Sequence, residues 1–240
     1  MKVLWVSLVK FPPLCEYLEE PVPAHCGWMY ASAKAMLKAI SEVSLGVIVY
    51  SYGGKYEKYD IEGVTYYLVP TGRIDRTSKK QIAACRQAIT DFAPDLIHIH
   101  GTEHSLAKAV CVANVSGVRI IANIQGLAGP YMRYADGGLS LWDKWTNITP
   151  LDFYRGTFLL NAKRSFEHRA ECEHYVLTHI TDIIGRTQWD YDHVMTVNPR
   201  LRYHFMNETL RDSFYEKPLW NYARCKKHTI FVSNSGSALK

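Results

Sequence analysis

Short apolar runs alternate along this chain with stretches whose apolar positions recur at helical spacing. That alternation is the mark of βαβ units, in which helices cover both faces of a parallel sheet. Val3–Val9 is almost wholly apolar and predicts a first strand buried on both faces. A loop with Pro12, Pro13, Pro21 and Pro23 follows, and Gly27–Ile40 then reads as a helix. Its Ala31, Ala35, Ala39, Met29, Met36 and Ile40 would face the sheet, the small residues allowing close approach. Val43–Ser51 and Val64–Val69 predict the second and third strands. Ser78–Phe92 predicts a helix with Ser78 as N-cap, and Asp95–His100, after Pro94, a further strand. A helix near His104–Val115 and a strand over Arg119–Ile124 complete this part.

Gln125–Thr149 is rich in Gly, Tyr and Trp and has no clean period, which predicts a long functional loop with short helical pieces. Leu151–His179 reads as a long helix with Arg155, Lys163, Arg164 and Arg169 along it. Asp182–Gly185 predicts a short strand, and Thr187 caps a helix that ends near Asn198-Pro199. Thr209–Pro218 closes the domain, and Thr229–Ser233 starts a fresh strand. The expected organisation is therefore an α/β domain over residues 1–224 and the beginning of a second domain over 225–240.

Of the 240 residues 48% are hydrophobic and 21% charged, enough to bury a sizeable core. The formal net charge of +5 suits anionic small substrates such as sugar nucleotides or phospholipid-linked sugars. No basic stripe interleaved with aromatics points to nucleic acid. The six cysteines are scattered without a CxxC pair, which argues for reduced thiols in a cytoplasmic protein. The opening apolar run is short and followed by Lys10, so a buried strand explains it better than a signal peptide. No apolar stretch is long enough to span a bilayer.

Open α/β sheets bind ligands beyond the carboxyl ends of their strands. That directs attention to Ser7–Gly27, His100–His104, Gln125–Arg133 and Arg186–Asp190. The first strand runs into Lys10-Phe11-Pro12-Pro13, so neither a GxGxxG turn nor a Walker A loop is present. Gly27 opens the first helix, where backbone N–H groups and the helix dipole favour a phosphate. His98 and His100 fall on one face of their strand. His98 reads as a hydrogen-bonded core histidine, whereas His100 at the strand end opens onto the crevice. His104 starts a helix, in a solvated or capping role or as a substrate contact. Gln125 can donate to and accept from sugar hydroxyls, or cap the loop whose turn Gly126 permits. His168 and Cys172 lie one helical turn apart with His174 nearby, but no second ligand pair accompanies them, so no metal site is expected.

Several of these pieces together resemble the N-terminal domain of family 4 glycosyltransferases of the GT-B fold. The resemblance rests on Met1–Ser7, Gly27-Trp28-Met29, Pro94–Gly101, Ile124-Gln125-Gly126 and Gly185–Asp190, in that order and spacing. It covers nearly the whole chain, with Thr229–Ser233 matching the start of the second Rossmann-like domain. It implies a Rossmann-like parallel sheet flanked by helices, the N-terminal half of a GT-B fold. It implies retaining transfer of a sugar from a nucleotide-sugar donor to an acceptor hydroxyl, without metal or cofactor, in work such as cell-surface polysaccharide synthesis. His100 and Gln125 would then lie at the reacting sugar. Cys26 and Gly27 would lie near the donor phosphates, and Gly101, His104, Gly126 and Arg186 on the acceptor side. The partners would be a nucleotide-sugar, a saccharide or lipid-linked acceptor and a C-terminal donor-binding domain, without which this chain is expected to be inactive. Two departures stand out. Relatives often carry two glycines where this chain has Cys26-Gly27, and many place a histidine where Gln125 stands. Arg186 is expected to contact phosphate or a charged acceptor, or to form an interdomain ion pair. Trp142, Lys144, Trp145 and the basic positions after Phe153 are candidates for peripheral contact with the inner membrane. The alternatives are a GT-B sugar-nucleotide epimerase and a non-catalytic carbohydrate-binding Rossmann-like domain.

Overall fold

The computed structural model describes residues 1–23, 26–72, 76–135, 137–151, 162–210, 212–218 and 221–230. One sheet of eight strands organises them. Its strands are β1 (Lys2–Val6), β2 (Ser44–Tyr52), β3 (Glu57–Ile61), β4 (Val64–Thr71), β5 (Leu96–His100), β6 (Arg119–Asn123), β7 (Asp182–Gly185) and β8 (Arg202–Phe205). Their spatial order is β3-β4-β2-β1-β5-β6-β7-β8, and every neighbouring pair is parallel except β3 with β4. The fold is thus an α/β Rossmann-like sheet with helices on both faces.

The helices are α1 (Pro12–Tyr17), α2 (Gly27–Ala39), α3 (Lys79–Phe92), α4 (Ser105–Ala113), α5 (Ala128–Met132), α6 (Leu141–Thr146), α7 (Ala162–His179), α8 (Gln188–Val197) and α9 (Asp212–Glu216). Strand alternation divides the core in two. Leu4 and Val6 of β1 pack with Ile97 and Ile99 of β5 and the apolar faces of α3, α4 and α7. Val3 and Trp5 turn the other way, to Phe11, Leu14, Met29 and Ala33 of the α1–α2 side. Burying both faces explains why β1 and β2 are apolar almost throughout.

Local chemistry sets the helix ends. Ser78 caps α3 by accepting a hydrogen bond from the Gln81 N–H at 3.1 Å. Thr187 and Asp190 form a reciprocal capping box on α8, and Asp190 also accepts from the Arg186 N–H at 2.9 Å. At the amino edge of the sheet the buried Asp182 carboxylate ties three strands together. It accepts hydrogen bonds from Arg119, Arg202 and His204 and from the neighbouring Thr181. Burial alone would raise its pKa, but these partners outweigh burial and hold it well below the usual carboxylate range.

Four elements were not anticipated from the sequence pattern: α1, β3, β8 and α9. Of the long helix expected over Leu151–His179, residues 162–179 are helical, while 152–161, with Arg155, lie outside the described residues. Residues 231–233 of the expected strand Thr229–Ser233 also lie outside them, as does the rest of the chain to Lys240.

Candidate functional site

The strand order reverses between β1 and β5. From β1 the chain builds outward through β2 and β4, and from β5 it builds the opposite way through β6, β7 and β8. In a sheet of this kind the crevice beyond the carboxyl ends of the two reversing strands is the natural ligand position. The residues that occupy it are those after Val6 and from His100 onward.

His100 stands at the end of β5 on the same face as His98, their rings 4.1 Å apart. Its ring meets Trp5 of β1 at 4.5 Å and Trp28 of the first turn of α2 at 6.0 Å. Those contacts bring Cys26 and Gly27, at the start of α2, to the end of β5. Cys26 is buried, and Ser7 Oγ, which donates to the Val9 carbonyl at 2.6 Å, lies 3.6 Å from Met29 Sδ of α2. His98 is hydrogen-bonded to Asn123 Oδ1 at 2.6 Å, the core role expected for it. His100 does not open onto solvent, being only 4% exposed, because the two tryptophans enclose it. Burial lowers its pKa well below the ordinary histidine value, with His98 adding to the effect. The imidazole is therefore neutral at pH 7, with one N–H to donate and one nitrogen to accept.

Beyond His100 the chain turns at Gly101, whose φ of +94° is a conformation that favours glycine. A Cβ at Gly101 would lie 3.3 Å from Glu103 Oε2, 3.6 Å from Leu8 Cδ1 and 3.7 Å from Gln125 Cγ. The ends of β1, β5 and β6 thus converge around one glycine. Gly126 faces the same carboxylate, its virtual Cβ 3.9 Å from Glu103 Oε1. His104 Nε2 lies 3.3 Å from Glu103 Oε1, and both side chains are largely buried. His104 occupies the N-cap position of α4 without a side-chain cap bond. Glu103, one residue before it, is placed where the helix dipole favours a negative charge.

This edge is rich in buried polar atoms without a hydrogen-bond partner. They include Trp5 Nε1, both ring nitrogens of His100, Thr102 Oγ1 and Glu103 Oε2. An unpaired buried polar group costs about 1–3 kcal/mol, so a cluster of them in one segment marks a place not optimised for stability.

A second carboxylate holds the loop after β6. Glu173 of α7 is 2% exposed and accepts from the N–H groups of Ala128 at 2.7 Å and Gly129 at 3.0 Å. His193 Nε2 of α8 lies 3.1 Å from the same carboxylate. The first turn of α5 is thereby pinned just after Gln125-Gly126. A Cβ at Gly129 would sit 3.0 Å from Glu173 Oε1, so the close approach needs glycine.

Of the residues singled out from sequence, the structure brings together Cys26, Gly27, His100, Gly101, His104, Gln125 and Gly126. Arg186 follows β7, two strands from β5 or about 10 Å across the sheet. It is engaged within this chain, its Nη1 2.6 Å from Glu208 Oε1. Trp142 and Trp145 of α6 are 73% and 65% exposed. Among the described residues no group of three or more His, Cys, Asp and Glu is disposed to hold a metal ion, and no helix is long and apolar enough to cross a membrane. Sequence reasoning missed Glu103 and Glu173. Glu103 lay inside a segment already marked by its place after β5, and that position was the available signal. Glu173 carried none, being one charge among many on a long helix.

No family model matches the chain, and no curated protein matches it. Solved structures do. The chain is similar to a sucrose-phosphate synthase from Thermosynechococcus elongatus, with a TM-score of 0.47 and 10% identity over 85% of this chain and 47% of that one. It is similar to a ugt transferase from Siraitia grosvenorii in complex with UDP, with a TM-score of 0.46 and 12% identity over 86% of this chain and 47% of that one. It is similar also to a UDP-GlcNAc 2-epimerase from Methanocaldococcus jannaschii, with a TM-score of 0.42 and 10% identity over 85% of this chain and 45% of that one. The chain spans just under half the length of each.

Proposed function

We propose that this chain is the acceptor-side half of a GT-B glycosyltransferase. In this reading a sugar passes from a nucleotide-sugar donor to an acceptor hydroxyl in the crevice beyond β1, β5 and β6. The observation that carries it is the convergence of unpaired buried polar groups at the point where the strand order reverses. The family resemblance of the motifs at these same strand ends supports it.

The roles follow from the chemistry of each group. His100 is neutral and so serves by hydrogen bonding. Gln125 cannot titrate, and it stabilises charge on the reacting sugar and phosphate through its amide. Retention without a strong protein base is consistent with such a pair, since the leaving phosphate can accept the acceptor's proton. No metal or cofactor enters this scheme. The start of α2 at Cys26-Gly27 offers backbone N–H groups to the donor phosphates. Donor recognition belongs to a C-terminal domain, and the work to cell-surface polysaccharide assembly in the cytoplasm, with peripheral contact at the inner membrane through α6. The Glu103–His104 pair also answers the need of an epimerase for acid–base groups on a sugar ring, which keeps that second reading in view.

The test is donor hydrolysis and transfer with UDP- and GDP-sugars, by this chain and by its natural form with any sequence that follows Lys240. Transfer by the longer form alone supports the proposal. Conversion of a UDP-sugar to its epimer without an acceptor favours the epimerase. Transfer by the 240-residue chain unaided overturns the two-domain account.

A further inference from the structure

Resting on that reading, we infer that Glu103 is an acceptor-binding residue and that the sugar ring it receives is uncharged. The first ground is the state of the carboxylate. Oε1 lies 3.3 Å from His104 Nε2, which fixes the side chain, while Oε2 is buried and has no partner. A carboxylate oxygen has acceptor capacity that only a donor can use. A stable fold does not ordinarily bury a half-satisfied charge, and two other buried acids of this fold, Asp182 and Glu173, each accept hydrogen bonds on both oxygens.

The second ground is shape. Glu103 stands between Gly101 and Gly126, positions where a side chain would come to within 3.3 Å and 3.9 Å of its two oxygens. Gly101 needs its glycine for backbone reasons as well. Gly126 has no positive φ, and a Cβ there would meet only Glu103 Oε1 at an ordinary 3.9 Å, so its glycine leaves open space beside the carboxylate.

The third ground is charge. The two cations that follow β1 and β7 at this edge are already neutralised, Lys10 by Glu20 and Arg186 by Glu208. Among the described residues, the buried unpaired atoms at the end of β5 are a carboxylate oxygen together with neutral groups, the His100 ring and the fully buried Thr102 hydroxyl. Hydroxyls of a neutral sugar match that set, donating to Glu103 and exchanging hydrogen bonds with the others. A phosphate or carboxylate on the ring would face Glu103 directly and be repelled.

The experiment is ligand-observed saturation-transfer NMR with this chain. The probes are methyl α-glucoside, methyl α-mannoside and methyl β-galactoside, set against glucose 6-phosphate and methyl glucuronide. We expect at least one neutral glycoside to bind, about tenfold more tightly than the anionic sugars, the worth of one charge-assisted hydrogen bond. Glu103→Gln should lower that affinity about tenfold and erase the discrimination against anions. Gly126→Ala places a methyl group at ordinary contact distance from Oε1, so it should fold, with an unchanged melting curve, and still weaken the glycoside. Neutral binding that survives Glu103→Gln unchanged, a preference for anionic sugars, or no binding by any probe would each overturn the inference. Expected selectivity without transfer by the natural longer form would sink the transferase reading and leave Glu103 as a saccharide site. Transfer by that form with an acceptor KM indifferent to Glu103→Gln would sink the inference alone.

Discussion

Replacing Glu173 by alanine isolates the device that holds the loop after β6. Its carboxylate accepts from the Ala128 and Gly129 N–H groups and meets His193, all within 3.1 Å. Ala128 is 3% exposed, so its N–H would lose its partner where water does not readily replace it, at a cost of about 1–3 kcal/mol. Gly129 is half-buried and its N–H can turn to water for less. The deleted side chain adds a small cavity between α5 and α7, and removal of a buried charge offsets part of the loss. The net expectation is about 3 kcal/mol, which for a chain of this size lowers Tm by about 6–12 °C. Glu173→Gln keeps one acceptor oxygen but turns an NH2 toward a donor, so about half that loss is expected. Urea unfolding followed by circular dichroism reads both, and amide exchange at Ala128 and Gly129 should quicken in the alanine variant while β1 and β5 stay protected. An alanine variant within about 0.5 kcal/mol of the parent, or one no worse than the glutamine variant, would refute the capping account.

Two further outcomes follow from the site. Burial lowers the pKa of both His98 and His100, so below about pH 6.5 the unfolded chain takes up protons that the native one refuses. Stability should be level above pH 7 and fall as pH drops, by up to about 1.4 kcal/mol per unit for each histidine until its native pKa is reached; urea midpoints that stay flat from pH 7.5 to 5.5, or that slope equally in His100→Phe, would contradict this. Gln125→Ala in the transfer-competent form should lower kcat by about a hundredfold with little change in acceptor KM, and intact turnover would remove Gln125 from the chemistry.

Much of the fold was legible because its central strands are buried on both faces and announce themselves as apolar runs. β2, β5, β6 and β7 fall where the pattern places them, within a residue at either end, and β1 ends at Val6, three residues before the end of the apolar run. The missed strands share the opposite property. β3 lies at one edge of the sheet with Glu57, Lys58 and Asp60 in its five residues, and β8 at the other edge exposes Arg202, His204 and Phe205. An edge strand is held by backbone pairing on one side, and little in its side chains needs to be apolar. β3 was still foreshadowed by Glu62-Gly63, both at positive φ, the geometry of a tight hairpin turn. α1 was hidden because Pro12 and Pro13 read as a loop, although proline is at home in the first turn of a helix.

The site was legible to the level of strand ends and no further, because the missing information is three-dimensional. Sequence places Glu103 after β5 and Gly126 after β6, but only the register of β5 on β6 puts one against the other. The same sheet then separates structural acids from functional ones. At the amino edge Asp182 receives hydrogen bonds from four side chains, and on α7 Glu173 receives two backbone donors and a histidine. Both arrangements engage both carboxylate oxygens in holding strands or loops in place. Glu103, at the carboxyl edge, keeps one oxygen unpaired beside an unpaired histidine and an unpaired threonine. Had this edge only to be stable, apolar side chains at 100, 102 and 103 would serve better, since each orphan costs free energy that nothing in the chain returns. The retained cost lies where the strand order reverses and polar capacity can meet a ligand, and this coincidence is the physical basis for assigning the crevice a binding role.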